Sequence, residues 1–187
     1  MRVSAWADFQ GRKIPKEFEM HLLAQSVPGV IQIFDWYERK SSFVLIMEKP
    51  TSTIDLFELS RTRGALGENP TKIIFREIVK TFSALQTAGV LHRDIKDENI
   101  LVNTLTLETK IIDFGCATEI REGFYEDISG TPEYFPPEIF IENQYEAESS
   151  TVWALGTLLH VLLIGDIPFE STKDIPLKKF QDLVINF

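Results

Sequence analysis

Two short polar segments of this sequence contain the residue types that transfer of a phosphoryl group requires. They read HRDIKDEN at 92–99 and DFG at 113–115. Such a transfer needs a carboxylate that accepts the proton of the attacking hydroxyl, ligands for a metal that holds the phosphates, and a positive charge. The template for this chemistry assigns Asp94 as the base, Asn99 and Asp113 as metal ligands, and Lys96 to a place beside the transferred phosphate.

The metal that fits this set is Mg²⁺, a hard cation that prefers oxygen ligands and completes its shell with water and phosphate oxygens. A competing zinc site is not predicted, because the three histidines, His21, His92 and His160, lack accompanying cysteine pairs. We expect His21 and His160 to lie on helix faces. A predicted hairpin of two apolar runs, 100–102 and 110–112, separates the two polar segments and would bring them together.

The elements in front of these segments are predicted to be one helix and two strands. The helix covers 15–27, because Phe18, Leu22, Leu23 and Val27 recur at helical spacing behind a proline suited to a first turn. The strands cover 30–37 and 43–47 and are joined by a polar turn.

From Pro50 onward the pattern is mainly helical. Helices are predicted over 55–62, 69–88 and 151–164, the last being strongly apolar and ended by Gly165. In the second of these helices one apolar stripe consists of Ile73, Ile74, Ile78, Phe82 and Leu85. The sequence therefore predicts an α+β fold with a small strand-containing front part.

Composition limits the class of protein and its partners. Of the 187 residues 44% are hydrophobic and 25% charged, and the formal net charge is −9. This charge disfavours nucleic acid and anionic lipid and favours basic partners, such as peptides rich in Arg or Lys. A secretory signal and a membrane span are not predicted, and the one cysteine, Cys116, agrees with a reducing compartment. We expect a monomer in the cytoplasm, or also in the nucleus, without membrane or nucleic-acid partners.

A third segment, GTPEYFPPE at 130–138, stands where an A-P-E sequence closes the activation segment of a protein kinase. With HRDIKDEN and DFG it makes the chain resemble the serine/threonine protein kinase superfamily over essentially all 187 residues. The resemblance implies that ATP and Mg²⁺ are cofactors and that protein hydroxyls are substrates. It also implies part of a small lobe at 1–49 and a large lobe at 50–187 that is incomplete at its C-terminus.

Four shorter segments resemble the Pim family of serine/threonine kinases: FDWYER at 34–39, GVLHRDIKDENIL at 89–101, TVWALG at 151–156 and GDIPFE at 165–170. The resemblance places Met47 at the gatekeeper position and Glu48 and Pro50 in the hinge. Because Pro50 has no N–H, one hinge hydrogen bond to adenine should be absent, and the ring would depend on the Glu48 carbonyl and apolar walls. The remaining positions that the resemblance assigns to the nucleotide side are Asp55, Glu98, Leu101 and Ile112.

Two parts of the ATP-binding apparatus are missing from the sequence. Neither a G-x-G-x-x-G loop nor a V-A-I-K strand is present, and Lys13 and Lys16 lie too close to the first helix to replace the strand lysine. The helix glutamate that pairs with this lysine is predicted to be Glu19, with Glu17 as the alternative. The chain is therefore either part of an active kinase, or a catalytically dead pseudokinase or binding module.

Carboxylates have two further predicted roles. Arg93 precedes the catalytic aspartate. In kinases with an arginine at this position, a phosphate on the activation segment usually neutralises its charge, but here the carboxylate of Asp127 or Glu126 could do so permanently. The resemblance also places Asp55, Glu58 and Glu98 around the peptide groove, which predicts substrates with Arg or Lys before the Ser or Thr.

Overall fold

The computed structural model describes residues 5–9, 11–169 and 171–176. Its front part contains two antiparallel hairpins with a helix between them. Strands β1 (Trp6–Phe9) and β2 (Arg12–Pro15) form the first hairpin, which the sequence pattern did not predict. Helix α1 (Lys16–Leu23) follows, and β3 (Ile33–Arg39) pairs with β4 (Ser42–Met47).

The first helix is shorter than the predicted 15–27. It ends at Leu23 and continues as a 3₁₀ turn, Ala24–Ser26. The chain then turns at Gly29, which has φ +88, and a Cβ at this position would lie 2.2 Å from the Thr81 hydroxyl oxygen. A left-handed conformation and this close approach both require glycine, so the helical pattern cannot extend through the turn.

The second part is mainly helical. It contains α2 (Leu56–Arg63), α3 (Glu68–Thr87), α4 (Pro137–Glu142) and α5 (Ala147–Ile164). Of the predicted α3 stripe, Ile74, Ile78, Phe82 and Leu85 are buried in the main core, but Ile73 is half exposed. A helix turns 100° per residue, so adjacent positions such as 73 and 74 cannot both face the centre of the same core.

Helix α5 is long and apolar enough to cross a membrane by length and composition, although a core helix of a soluble protein passes the same test. Ala154, Leu155, Leu158, Val161 and Leu162 belong to the main core, which they share with α3. The helix ends at Gly165 in the left-handed conformation, as predicted.

Short strands connect the helices and hold the polar segments. Strand β7 (Ile100–Asn103) pairs with β8 (Thr109–Ile111) on one side and with β5 (Thr53–Asp55) on the other. Strand β6 (Val90–Leu91) pairs with β9 (Thr118–Glu119). The predicted hairpin between the two polar segments is thus confirmed, within one residue at each strand end. The mixed fold with a small strand-rich part confirms the predicted fold class.

Candidate active site

The carboxylate of Asp94 is the centre of the site. Its side chain is buried and lies in the loop between β6 and β7. Asn99 Nδ2 donates to Asp94 Oδ2 at 2.8 Å and to the Asp94 carbonyl at 2.9 Å. Lys96 Nζ lies 3.4 Å from Asp94 Oδ2. The structure therefore brings three of the four predicted catalytic residues into direct contact.

A hydroxyl group already lies against this centre. Thr131 Oγ1 donates to Asp94 Oδ1 at 2.6 Å and accepts from Lys96 Nζ at 2.9 Å. One alcohol oxygen is thus within hydrogen-bond distance of both a proton acceptor and a positive charge, the arrangement needed to activate a hydroxyl nucleophile. The sequence pattern did not single out Thr131, although the segment GTPEYFPPE contains it.

The ring of His92 orients the Asp94 loop. The Asp94 amide donates to His92 Nδ1 at 3.3 Å, and His92 Nε2 donates to the Ile112 carbonyl at 3.1 Å. Burial lowers the pKa of His92, against the smaller effect of the Ile112 carbonyl. The ring is therefore a neutral structural link between the two polar segments, and it contacts the Phe114 ring edge-on at 5.0 Å between centroids.

The predicted metal ligands have the atoms that Mg²⁺ requires. Because Asn99 uses its amide nitrogen on Asp94, its carbonyl oxygen is left as a possible ligand. Asp113 is exposed, and its Oδ1 accepts from the Gly115 amide at 3.0 Å. The described residues contain no cluster of three or more His, Cys, Asp or Glu that could hold a metal. A magnesium ion held by one Asp, one Asn and phosphate oxygens needs no such cluster and would neutralise charge on the phosphates.

The stretch after DFG is fixed by Arg93. Its Nε donates to the Cys116 carbonyl at 2.6 Å, and its Nη1 donates to Asp127 Oδ2 at 2.5 Å and to the Asp127 carbonyl at 3.0 Å. Burial raises the pKa of Asp127, but the Arg93 hydrogen bond and charge outweigh it, so that the pKa is lowered overall. Of the two predicted partners of Arg93, Asp127 is the one that pairs with it, and no ion pair joins Arg93 to Glu126 among the described residues.

Gly130 permits this stretch to approach the catalytic loop. It has φ +119, and a Cβ there would lie 2.2 Å from the Arg93 carbonyl oxygen. Only glycine fits this approach without moving the backbone, and it sets the position of the adjacent Thr131.

A cavity of about 440 Å³ opens beside Thr131. Four carboxylates, Asp97, Glu98, Glu133 and Asp166, line it, together with Ser60, Arg61 and apolar residues of α2 and α5. Asp97 is buried and accepts from the Tyr134 hydroxyl at 2.9 Å. The cavity thus has a largely acidic wall next to the hydroxyl-activating centre.

Comparison with known proteins identifies the family. The profile described as Protein kinase domain matches residues 2–185. The chain belongs to the protein kinase family. It is 40% identical over 173 residues to "Serine/threonine-protein kinase prk-2" of Caenorhabditis elegans, covering 92% of this chain and 39% of that protein. It is 38% identical over 184 residues to "Serine/threonine-protein kinase pim-2" of Danio rerio, covering 93% and 59%.

A relative outside the Pim group has a similar identity. "PAS domain-containing serine/threonine-protein kinase" of Mus musculus is 37% identical over 147 residues, covering 78% of this chain and 11% of that protein. The comparisons therefore show the kinase family without deciding between its groups. The chain spans about two fifths and three fifths of the length of the two relatives named first.

Within this kinase fold, Glu17 and not Glu19 lies beside the DFG segment at 113–115. A Cβ at Gly115 would lie 3.9 Å from Glu17 Oε2, whereas Glu19 Oε2 pairs with Lys16 Nζ at 2.6 Å. The expected inward face of α1 is also different, because Leu23 is exposed and Phe18, Met20 and His21 are buried. Of the two candidates, Glu17 is the one that lies beside Asp113, and the pairing of Glu19 with a strand lysine stays a prediction.

Glu17 has no hydrogen bond or ion pair within the described part of the chain. Burial and, to a lesser degree, the nearby charge of Asp113 raise the pKa of Glu17. An unpaired carboxylate beside Asp113 is what a strand lysine would neutralise in a kinase.

We expect Glu17→Gln to raise the melting temperature at pH 7. The ionised carboxylate is disfavoured in the folded chain, so stability is lost as the pH rises from the ordinary value of 4.5 through the raised pKa. Below pH 4.5 both chains are neutral at this position, and the difference should vanish. Thermal melts between pH 4 and 8 would measure this, with Glu19→Gln as the control. A variant less stable than the parent at pH 7 would contradict the assignment.

The predicted hinge residue Glu48 is held by its carboxylate and by its amide. Glu48 Oε1 lies 2.9 Å from Lys110 Nζ and accepts from the Gln32 amide at 2.9 Å, while the Glu48 amide donates to the Gln32 carbonyl at 2.8 Å. Burial raises the pKa of Glu48, but the hydrogen bonds from Lys110 and Gln32 outweigh this and lower it. Within the described part of the chain no hydrogen bond reaches the Glu48 carbonyl, which leaves it available for a nucleotide.

The other predicted nucleotide-side residues fall into two groups. Met47 is 42% exposed, and Pro50, Leu101 and Ile112 are half-buried. Asp55 caps α2, because its Oδ1 accepts from the Glu58 amide at 2.7 Å, and Glu98 lines the acidic cavity beside Thr131. The structure thus gives Asp55 a capping role and places Glu98 in the wall of the cavity beside Thr131.

Proposed function

We propose that this chain is the catalytic part of a serine/threonine protein kinase that transfers the γ-phosphoryl group of ATP, with Mg²⁺, to Ser or Thr hydroxyls. The observation that carries the proposal is the Thr131 hydroxyl, which contacts both Asp94 and Lys96. A substrate hydroxyl in an equivalent place would have its proton acceptor and a neutralising charge at hydrogen-bond distance. The Pim-like assignment within the family is part of this proposal and rests on the four sequence segments and on the similarity to pim-2.

The second candidate is a pseudokinase that acts as a binding module. The carboxylate of Glu17, which has no ion pair within the described part of the chain, favours it. Calorimetry and phosphate transfer on the same preparation separate the candidates. Magnesium-dependent nucleotide binding without transfer would identify the pseudokinase, and an absence of binding would point to a purely structural domain.

The substrate class that we propose has Arg or Lys before the Ser or Thr. Glu98, Glu133 and Asp166 face a cavity next to Thr131, on a chain with net charge −9. Glu98 is exposed, and burial and the neighbouring Asp97 raise its pKa. A guanidinium or ammonium group would relieve this repulsion, because each carboxylate would gain an opposite charge. Single surface pairs contribute little, so selectivity must come from several together.

We expect peptides with basic residues before Ser to be bound and phosphorylated in preference to peptides with neutral or acidic flanks. The preference should weaken at high salt, because exposed charges are screened beyond roughly 8 Å at physiological ionic strength. A peptide panel at two salt concentrations, with Ser→Ala peptides as blanks, would measure it. Glu98→Gln should reduce the preference, whereas Glu142→Gln, an exposed carboxylate on α4, should not. Equal rates on all three flanks would refute the substrate class.

A further inference from the structure

The acidic cavity contains one cation among its lining residues, Arg61 of α2. Its guanidinium makes two contacts with Glu58, from Nε to Oε2 at 2.9 Å and from Nη2 to Oε1 at 3.0 Å. Arg61, and not Glu58, is the member of the pair that lines the cavity. This end of the cavity therefore presents a positive charge to a bound peptide.

The pair changes what Glu58 can do. Both of its carboxylate oxygens accept from Arg61, which is the two-pronged geometry that a substrate arginine would otherwise adopt. Hydrogen bonding to Arg61 also lowers the pKa of Glu58, so the carboxylate stays ionised and paired. A peptide arginine that approached Glu58 would have to displace Arg61, and one ion pair would be exchanged for another with little net gain.

The rest of the cavity differs from this end. Glu98, Glu133 and Asp166 have no ion pair with a cation within the described part of the chain. Ser60, a residue only 9% exposed, lines the same cavity, and its hydroxyl has no hydrogen-bond partner among the residues that the structure describes. A buried polar group without a partner indicates that a ligand group or water completes it.

We propose that Arg61 is a specificity-determining residue that makes the α2 end of the cavity reject a second basic residue of the peptide. This inference rests on the proposed preference for basic substrates and restricts it. The end of the cavity with Glu98 and Asp166 takes one Arg or Lys, whereas the α2 end offers a guanidinium, which repels another. The substrate class is then a peptide with a single basic residue facing the cavity, with no advantage from a second one directed at α2.

A double-mutant cycle on peptide binding tests this role. Fluorescein-labelled peptides with one Arg or with two Arg before the Ser would be titrated against the parent, Arg61→Gln, Glu58→Gln and the double variant, and the ratio of their affinities compared. We expect Arg61→Gln to raise the ratio in favour of the second Arg by about threefold, in the range of surface charge pairs. Glu58→Gln in the parent should lower the ratio or leave it unchanged, because it leaves the Arg61 guanidinium without its partner, and the double variant should return to the parent ratio. Arg63→Gln, on the same helix, is the matched control.

The outcomes distinguish failure of the role of Arg61 from failure of the proposed preference for basic substrates. A parent that prefers basic peptides, with an unchanged ratio in Arg61→Gln, would overturn the role of Arg61 alone. A parent that binds the two-Arg peptide more tightly than the one-Arg peptide would also overturn it, because the α2 end would then accept the second Arg. Equal binding of one-Arg, two-Arg and Arg-free peptides by all proteins would overturn the basic-substrate proposal itself. Because Arg61 and Glu58 are both on the surface, circular dichroism melts should show folded variants.

Discussion

Asp94→Asn should reduce phosphate transfer to peptide by about a thousandfold, within the range that general-base catalysis contributes. The carboxylate accepts hydrogen bonds from Thr131 and Asn99, so its charge and proton affinity are directed at a hydroxyl oxygen and not at the nucleotide. Affinity for Mg-ATP should therefore stay within a few-fold of the parent. The assay needs a chain preceded by a segment that supplies a Gly-rich loop and a strand lysine.

The control for this variant is a charge-removing change of the same kind on the surface, Glu142→Gln. Asparagine retains one oxygen that can accept from Asn99, so the loop should stay in place, which melting experiments can verify. Turnover equal to that of the parent would remove Asp94 from the role of base. A loss of nucleotide affinity parallel to the loss of rate would instead assign Asp94 to binding.

Asp113→Ala should abolish the magnesium dependence of nucleotide binding and weaken Mg-ADP binding at least about tenfold, because it removes a full negative charge from a metal that otherwise has only Asn99 and phosphate oxygens. Asp113 has φ +62, a conformation that Asn tolerates better than Ala. Asp113→Asn is therefore the sharper variant, since it removes the charge and preserves the backbone.

Calorimetry with ADP in magnesium and in EDTA would measure this effect. The parent should bind more tightly in magnesium, and both Asp113 variants should bind equally in the two buffers. Glu122→Ala, an exposed carboxylate on the same segment, should behave like the parent. An unchanged difference between magnesium and EDTA in Asp113→Asn would reject Asp113 as a metal ligand.

The sequence predicted the centre of this site because local patterns determine it. A hairpin between two polar segments brings Asp94 near Asp113, and the periodicity of an apolar run identifies such strands without long-range information. The same is true of α5 and its glycine stop. These features depend on neighbours within a few residues.

Local sequence patterns do not predict features that depend on distant contacts. Helix α1 has only 8 residues, and so short a helix does not fix its own rotation, so the sequence does not decide whether Glu17 or Glu19 lies beside Asp113. The hydrogen bonds of Thr131 join positions more than 30 residues apart, from Lys96 and to Asp94. The pairing of Glu58 with Arg61 is local, but nothing in the sequence shows which of the two lines a cavity.

Hydrogen bonds on both sides of Lys49 restrict rotation of the β3–β4 hairpin relative to the helical part. On one side Glu48 is tied to Lys110 on β8 and to the Gln32 amide. On the other, the Thr51 carbonyl accepts from Asn103 Nδ2 at 3.2 Å and the Ser52 carbonyl accepts from the Thr104 amide at 2.9 Å. Pro50 adds a ring that fixes its own φ. The backbone torsions that remain free to change in this connection are therefore those of Lys49. We expect the two parts to rotate relative to each other about this short hinge, with little independent translation.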